Sequence, residues 1–349
     1  MNKVWVLLTG SLRNNETSLA KLHFIKSLKE QGLIENFVFS TWQGEVNKSM
    51  DFSNLLQEFG GILIQSEPPQ LVARGSYLHQ ILQLENGLRY IPDDAFVVKI
   101  RTDKCESVDG FEEENLRDLL SNKNYAYPIT KKYKDILEYR IGVKAEGSER
   151  STYVPVLFFV IDKWYVAYKK DLMKIINYDV MSFDYLNLIP EQVLYASYFM
   201  QHWSVIKYFF QGINQAATID RLLFDAIGNG RDYEVDALTE ELLQNPVFID
   251  GFLVERFLLN EFFYDIDNQL PIALNTTYRG IELNSDNRLD TLKNPHNPTY
   301  DRDAVVQLQD YLFKAAGILK LWNDTVTHKG NLTIVDIASP RLNHLSITS

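Results

Sequence analysis

The sequence predicts an α/β protein with a mostly parallel, Rossmann-type sheet, flanking helices and a mainly helical C-terminal region. Three observations carry this prediction. Short apolar runs rich in β-branched residues recur through the first 200 residues or so. Amphipathic stretches with helical spacing alternate with these runs, which favours parallel strands joined by helices. From about Gly212 onward the pattern changes to helices. We therefore expect an α/β domain over 1–211 and a mainly helical region over 212–349 packed on it.

The first half of the chain supplies the elements of the predicted sheet. The predicted strands are Lys3 to Leu8, Asn36 to Trp42, Gly61 to Ile64 and Phe96 to Asp103. A helix capped by Thr17 or Ser18 and ending near Glu30 follows the first strand, and a helix over about Arg74 to Leu88 precedes the fourth. The segment between the second and third strands is predicted as a loop.

The rest of the chain gives weaker patterns. Tyr125 to Arg150 is polar and basic, and it is either a lid or a solvated excursion. Val154 to Ile161 is predicted as a strand, and Pro190 with Glu191 opens a helix, where proline and an acid are favoured. Further predicted elements are an acidic helix over Phe111 to Asn122, helices over Thr218 to Ile227, Tyr233 to Leu243 and Val305 to Leu319, and a last strand over Leu332 to Ile337.

Composition limits the partners and the cellular compartment that we expect for the protein. A formal net charge of −11 argues against nucleic acid as the main partner. The single cysteine, Cys105, excludes an internal disulfide and fits a reducing compartment. No targeting segment is present and no apolar run is long enough to span a bilayer, so we expect a cytoplasmic protein.

Polar residues lie at the end of the fourth predicted strand and directly after the first. Arg101 and Asp103, with Thr102 between them, could hold a diphosphate directly and through a metal ion, because ligands collect outside the carboxyl ends of parallel strands. The alternative is an ordinary Arg–Asp pair in a solvated loop. After the first strand, Gly10 permits close backbone approach and Arg13 offers a fork for phosphate. A plain β–α turn would give the same pattern there, and the segment lacks the spacing of a P-loop.

Four segments in order resemble the WavE-type lipopolysaccharide-synthesis family of glycosyltransferases, which has a GT-A-like nucleotide-sugar fold. They are Val6 to Arg13, Phe39 to Trp42, Gly87-Leu88 followed by Val98 to Asp103, and Ile161 to Tyr165 with Asp171-Leu172 and Pro190-Glu191-Gln192. The resemblance covers roughly the first 200 residues and fades beyond Gly212.

The resemblance implies transfer of a sugar from a nucleotide-sugar donor to a glycan or lipid-linked acceptor, at the inner face of the cytoplasmic membrane. Asp103 would bridge a divalent cation, Mn²⁺ or Mg²⁺, to the sugar diphosphate. The predicted nucleotide-sugar site consists of Thr9, Gly10, Ser11, Arg13, Ser40, Thr41, Trp42, Arg101, Thr102 and Asp103. The helix over Val305 to Leu319 could contact the membrane or a second subunit, although such a stripe more often packs in a core.

The chain departs from the usual acid-x-acid motif of this fold. Arg101-Thr102-Asp103 holds only one carboxylate, so Arg101 could take over part of the charge neutralisation and the need for metal is open. An inverting reaction needs a carboxylate to deprotonate the acceptor hydroxyl. Glu191 is the preferred base, and Asp162 would then bind sugar or acceptor hydroxyls. A retaining reaction would need no base of this kind.

Two other functions are compatible with the sequence. A nucleotidyltransferase or phosphosugar transferase on a related fold is one, although Thr9 to Arg13 is sparse for its glycine-rich loop. A non-catalytic scaffold of a polysaccharide assembly complex is the other, in which the single-acid motif would be a decayed site.

Overall fold

The structure, a computed structural model, describes most of the first 266 residues and short pieces beyond them. The described residues are 3–12, 15–69, 77–102, 111–122, 125–143, 157–160, 164–177, 190–210, 216–266, 270–271, 277–278 and 281–283. The predicted elements at Val305 to Leu319 and Leu332 to Ile337 lie outside them.

Within the described ranges the fold is α/β, built on a mixed and mostly parallel sheet of eight strands in the order β3-β2-β1-β4-β6-β5-β7-β8. Strands β1 to β4 are parallel to one another. Strand β6 is antiparallel to both β4 and β5, β7 is parallel to β5, and β8 is antiparallel to β7. The strands are β1 Val4–Thr9, β2 Asn36–Trp42, β3 Ile62–Ser66, β4 Phe96–Arg101, β5 Ile141–Val143, β6 Trp164–Tyr168, β7 Phe263–Asp265 and β8 Leu270–Pro271; β9 Thr277–Tyr278 and β10 Ile281–Glu282 form a separate pair. The predicted α/β class and mostly parallel sheet are confirmed.

Helices cover both faces of this sheet. Those of the described chain are α1 Asn15–Glu30, α2 Met50–Glu58, α3 Tyr77–Leu88, α4 Phe111–Asn122, α5 Lys169–Ile175, α6 Pro190–Ala196, α7 Ser204–Phe210, α8 Ala216–Gly228, α9 Asp232–Leu243 and α10 Pro246–Phe262. Short 3₁₀ helices lie at Val46–Lys48, Lys131–Tyr133 and Ser197–Gln201.

The central strands are buried on both faces, which explains their continuous apolar runs. All six residues of β1 are buried, and successive side chains enter different cores. Val6 packs in the core beneath α1 and α2, and Leu7 packs in the core beneath α3. Gly87 of α3 permits close approach to the sheet, because a Cβ there would lie 2.3 Å from Cδ1 of Leu7.

Two segments differ from expectation because their burial is not evident from local polarity. The first is Tyr125 to Arg150, expected to be a lid or solvated excursion. Its described part, 125–143, buries Tyr133 and Leu137 and ends in β5 of the central sheet. The helix α2 replaces a predicted loop. Its cap is Ser49, whose side chain accepts a hydrogen bond from the Phe52 amide at 3.2 Å, and Phe52 itself is fully buried.

The predicted strand over Val154 to Ile161 is wrong for the part that the structure describes. Leu157 and Phe158 form a turn, and Phe159 and Val160 have no regular secondary structure. The strand instead is β6, all five residues of which are buried. Because a buried turn and a buried strand are both apolar, the run of hydrophobic residues did not distinguish them.

The chain after 212 contributes to the sheet as well as to the helical layer. The helix α10 begins with Pro246 behind Asn245, whose side chain accepts a hydrogen bond from the Val247 amide at 3.0 Å. It continues directly into β7, which pairs with β5. The predicted boundary at 211 therefore does not separate the sheet from the helices. No helix within the described ranges is long and apolar enough to cross a membrane.

Candidate functional site

The candidate site is the carboxyl edge of the sheet where β1 and β4 lie side by side. The chain passes from β1 to β2 and β3 on one side, and then crosses back so that β4 pairs with the other side of β1. Such a reversal of strand order opens a crevice at the carboxyl ends of the strands, where α/β proteins bind ligands. Thr9 and Arg101 are paired directly in the register at this point. Two segments predicted from the sequence to form the site are thus adjacent.

The loop after β1 is shaped by Gly10. Its φ of +125° is in a region that favours glycine, and a Cβ there would lie 2.6 Å from Oγ1 of Thr102. The Thr102 hydroxyl lies 3.1 Å from the Ser11 carbonyl oxygen, and the Thr102 amide donates to the Thr9 carbonyl at 2.9 Å. The end of β4 therefore fits against the loop backbone.

A second hydroxyl holds the loop from the β2 side. Thr41, which is fully buried, donates its hydroxyl to the Gly10 carbonyl at 2.8 Å. Thr41 and Thr102 were both predicted to contact the nucleotide. In the structure their hydroxyls are within hydrogen-bond distance of the loop backbone, which favours one conformation of the loop.

The remaining residues predicted on β2 lie beneath the edge. Ser40 is fully buried, and its Cβ lies close to Gly87 of α3, so Ser40 presents no surface to a ligand. The indole of Trp42 meets the ring of His79 edge-on, with ring centroids 5.2 Å apart. Burial lowers the pKa of the His79 imidazole, which favours the neutral ring. His79 was not predicted, and no local motif marks it.

Two charged residues that the sequence analysis missed support the same edge. The buried Glu45 accepts a hydrogen bond from the Leu12 amide at 2.9 Å and pairs with Lys48. Lys21 of α1 is only 7% exposed, and its ammonium donates to the Arg101 carbonyl. The sequence did contain a signal for Lys21, which lies beside Leu22 on the helix face with Ile25 and Leu28. A lysine at the edge of such a buried stripe needs a polar partner.

Three predicted residues lie outside the described chain: Arg13, Asp103 and Asp162. Glu191 is described and half-buried, in the first turn of α6. At the other end of this helix, Tyr195 meets Phe263, the first residue of β7, with ring centroids 4.9 Å apart.

A divalent cation requires a set of hard oxygen ligands. Within the described ranges no three His, Cys, Asp or Glu side chains are grouped to hold a metal ion. The described part of the β1–β4 edge offers hydroxyls, backbone groups and the partly exposed Arg101. These residues alone do not fit a divalent cation, so we derive no chemical step from one.

No protein-family model matches this chain, and no curated protein matches it either. The resemblance to the WavE-type family therefore rests on the four sequence segments alone.

Proposed function

We propose that the protein is a glycosyltransferase that moves a sugar from a nucleotide-sugar donor to a glycan or lipid-linked acceptor. The observation that carries the proposal is the meeting of the β1 loop and the end of β4 at the reversal of strand order. Nucleotide diphosphates are bound at such points in α/β sheets.

The strand order supports the finer proposal of a GT-A-like fold. Its parallel half, β3-β2-β1-β4, is continued by the antiparallel β6 and then by β5 and β7. In the GT-A-like fold that the resemblance implies, the parallel half would bind the nucleotide sugar and the mixed half would face the acceptor.

The proposed donor site is formed by the loop backbone around Gly10 and Ser11 and by the side chain of Arg101. The departing nucleoside diphosphate gains negative charge in the transition state, and a fixed guanidinium with loop amides stabilises such charge. Trp42, the last residue of β2, and His79 of α3 would flank the nucleoside.

The proposed reaction is direct displacement with inversion. The carboxylate of Glu191 takes the proton of the acceptor hydroxyl, the acceptor oxygen forms a bond to the anomeric carbon, and the bond from that carbon to the phosphate oxygen breaks. The electron pair leaves with the nucleoside diphosphate. Glu191 lies in the first turn of α6 and is half-buried, so part of its side chain is exposed.

A thermal-shift panel of nucleoside diphosphates and nucleotide sugars, each with and without Mn²⁺, tests the proposal. A ligand at 100 times its dissociation constant stabilises a protein by about 2.7 kcal/mol, which is readily measured. We expect one nucleotide to stabilise the wild type and to lose most of this effect in Arg101→Met. Arg89→Met is the matched control, because Arg89 pairs with Glu85 at the far end of α3.

Asp103→Ala in the same panel separates two ways of holding the diphosphate. Stabilisation that needs Mn²⁺ and disappears in Asp103→Ala assigns a metal bridge to Asp103. Equal stabilisation without Mn²⁺ assigns the diphosphate to Arg101 and the loop. No stabilisation by any nucleotide, together with no sugar transfer, would overturn the proposed function.

A further inference from the structure

A strained turn lies in the interior, far along the chain from the β1 loop. Leu157 and Phe158 are both fully buried, and Phe158 has a φ of +60°. Within the described ranges it is the only residue other than glycine with a positive φ. A bulky side chain in this left-handed region is rare, and such strain persists only where surrounding contacts impose it.

Three side chains from three different helices impose it here. Asp220 of α8 accepts the Leu157 amide at 3.0 Å, and Glu255 of α10 accepts the Phe158 amide at 2.7 Å. Gln192 of α6 donates to the Leu157 carbonyl at 2.6 Å. Each of these bonds joins a buried side chain to the backbone of the turn. We call these three residues the turn clamp.

Burying the polar side chains of the turn clamp is energetically unfavourable. Asp220 and Glu255 are each 1% exposed, and burial raises the pKa of both carboxyls. The guanidinium of Arg256 is 3.6 Å from Glu255. Among the described residues, Oδ1 of Asp220 has no hydrogen-bond partner. A core built only for packing would hold apolar residues here, so this arrangement points to a need for one defined turn geometry.

The turn contacts one element that would face the acceptor and precedes another in the sequence. Gln192 directly follows Glu191, and Tyr195 on the same helix meets the Phe158 ring at 6.3 Å between centroids. A few residues beyond the turn, β6 begins with Trp164, which is paired with Ile100 next to the carboxyl end of β4.

We propose that Gln192, Asp220 and Glu255 fix the Leu157–Phe158 turn and thereby set the position of α6 and of Glu191 for sugar transfer. The three are positioning residues, since they act through the turn. The proposal rests on the proposed function in one respect, which is the role of Glu191 as the base.

Steady-state kinetics of Gln192→Met and Asp220→Leu test the proposal. Each variant keeps the approximate volume and removes one bond to the turn. We expect kcat to fall by about ten- to a hundredfold, because a small displacement of a reacting group slows the reaction by about this much. The KM for the donor should be unchanged. Asp220→Asn should restore kcat, because its amide oxygen can still accept the Leu157 amide.

Thr239→Val is the matched control. The Thr239 hydroxyl is also buried and donates to the Val235 carbonyl at 2.7 Å, but it lies within α9 and makes no bond to the turn. It should lower the melting temperature and leave kcat unchanged. If Gln192→Met, Asp220→Leu and Thr239→Val all lose activity in proportion to lost stability, the turn clamp only supports folding and the proposal is overturned.

Hydrogen exchange provides a readout that does not need enzymatic activity. Asp220→Leu should accelerate exchange of the amides in residues 190–196, and Thr239→Val should not. If the wild type transfers no sugar but this exchange pattern is found, the proposed function fails while the coupling of the turn to α6 stands. Unchanged exchange in residues 190–196 would overturn the coupling itself.

Discussion

Two turns in this molecule adopt backbone conformations with positive φ, and they are stabilised in opposite ways. The turn after β1 has glycine at the critical position, Gly10, and neutral hydroxyls of Thr41 and Thr102 adjoin its backbone. The interior turn has Phe158 at that position, and buried carboxylates of distant helices bind its amides. The first conformation costs glycine little, and the second needs continuous support from its neighbours.

The difference indicates what each turn requires. A glycine loop at a sheet edge leaves its backbone free to approach a ligand, which suits a binding site. An aromatic residue in the same region of conformational space gives a well-packed turn whose geometry depends on remote side chains. The interior turn is therefore suited to transmitting the position of one element to another.

The largest effect is expected at the interior turn. Phe158 packs against Phe209 and Phe210, with ring centroids 5.8 and 5.6 Å away, so Phe158→Ala should lower the free energy of unfolding by about 3–5 kcal/mol. Phe158→Gly should be about 1 kcal/mol more stable than Phe158→Ala, because glycine accepts positive φ without strain. Urea unfolding of both variants measures this order, which is the reverse of the order at most sites. A less stable glycine variant would show that the turn is not strained.

The next effect is expected at Gly10. Gly10→Ala combines an unfavourable φ with a contact of 2.6 Å to Oγ1 of Thr102, and we expect a loss of about 2–4 kcal/mol in the free energy of unfolding. Gly44→Ala is the matched control, because Gly44 has a φ of +80° and no described atom lies within 4 Å of the added Cβ. It should cost only about 1–2 kcal/mol, the strain alone. Equal losses at the two sites would mean that Thr102 moves away freely and does not fix the loop.

The sequence predicted the β1–β4 edge well because its signals are local. Gly10 after an apolar strand marks a turn, and the alternation of strands and helices placed Arg101 at the same edge. Thr41 and Thr102 were predicted to contact the nucleotide sugar, and this stays a prediction. What the sequence did not reveal is that they bond to the backbone, since that depends on register between strands distant in the chain.

The interior turn could not be predicted for a physical reason. Its bonds join residues 35 to 97 positions apart in sequence, and no periodic pattern relates them. Asp220 on its own resembles any acid on a helix, and the run around Phe158 resembles a strand. Burial of a carboxylate becomes visible only when the helices are packed. The same reason explains why β5 was assigned to a lid or a solvated excursion.

The smallest change in the free energy of unfolding at any one pH is expected for Asp220→Asn. The informative quantity is how this change depends on pH. Burial raises the pKa of Asp220 well above its ordinary value, with the negative charge of Glu255 acting in the same direction. The folded state then binds the proton more tightly than the unfolded state, whose pKa is about 3.9. This contribution to stability is complete below about pH 4 and is lost as the pH rises toward the folded pKa.

The asparagine variant removes the titrating group and keeps an oxygen for the Leu157 amide, so it should gain stability relative to the wild type as the pH increases. Urea unfolding from about pH 4.5 to about pH 8, a range that begins just above the unfolded pKa, measures this gain. The loss caused by Gly10→Ala should stay constant over the same range, because strain and contact with a hydroxyl involve no titration. A pH-independent difference for Asp220→Asn would show that Asp220 is ionised in the fold, and the contrast between a neutral edge turn and a proton-binding interior turn would then fail.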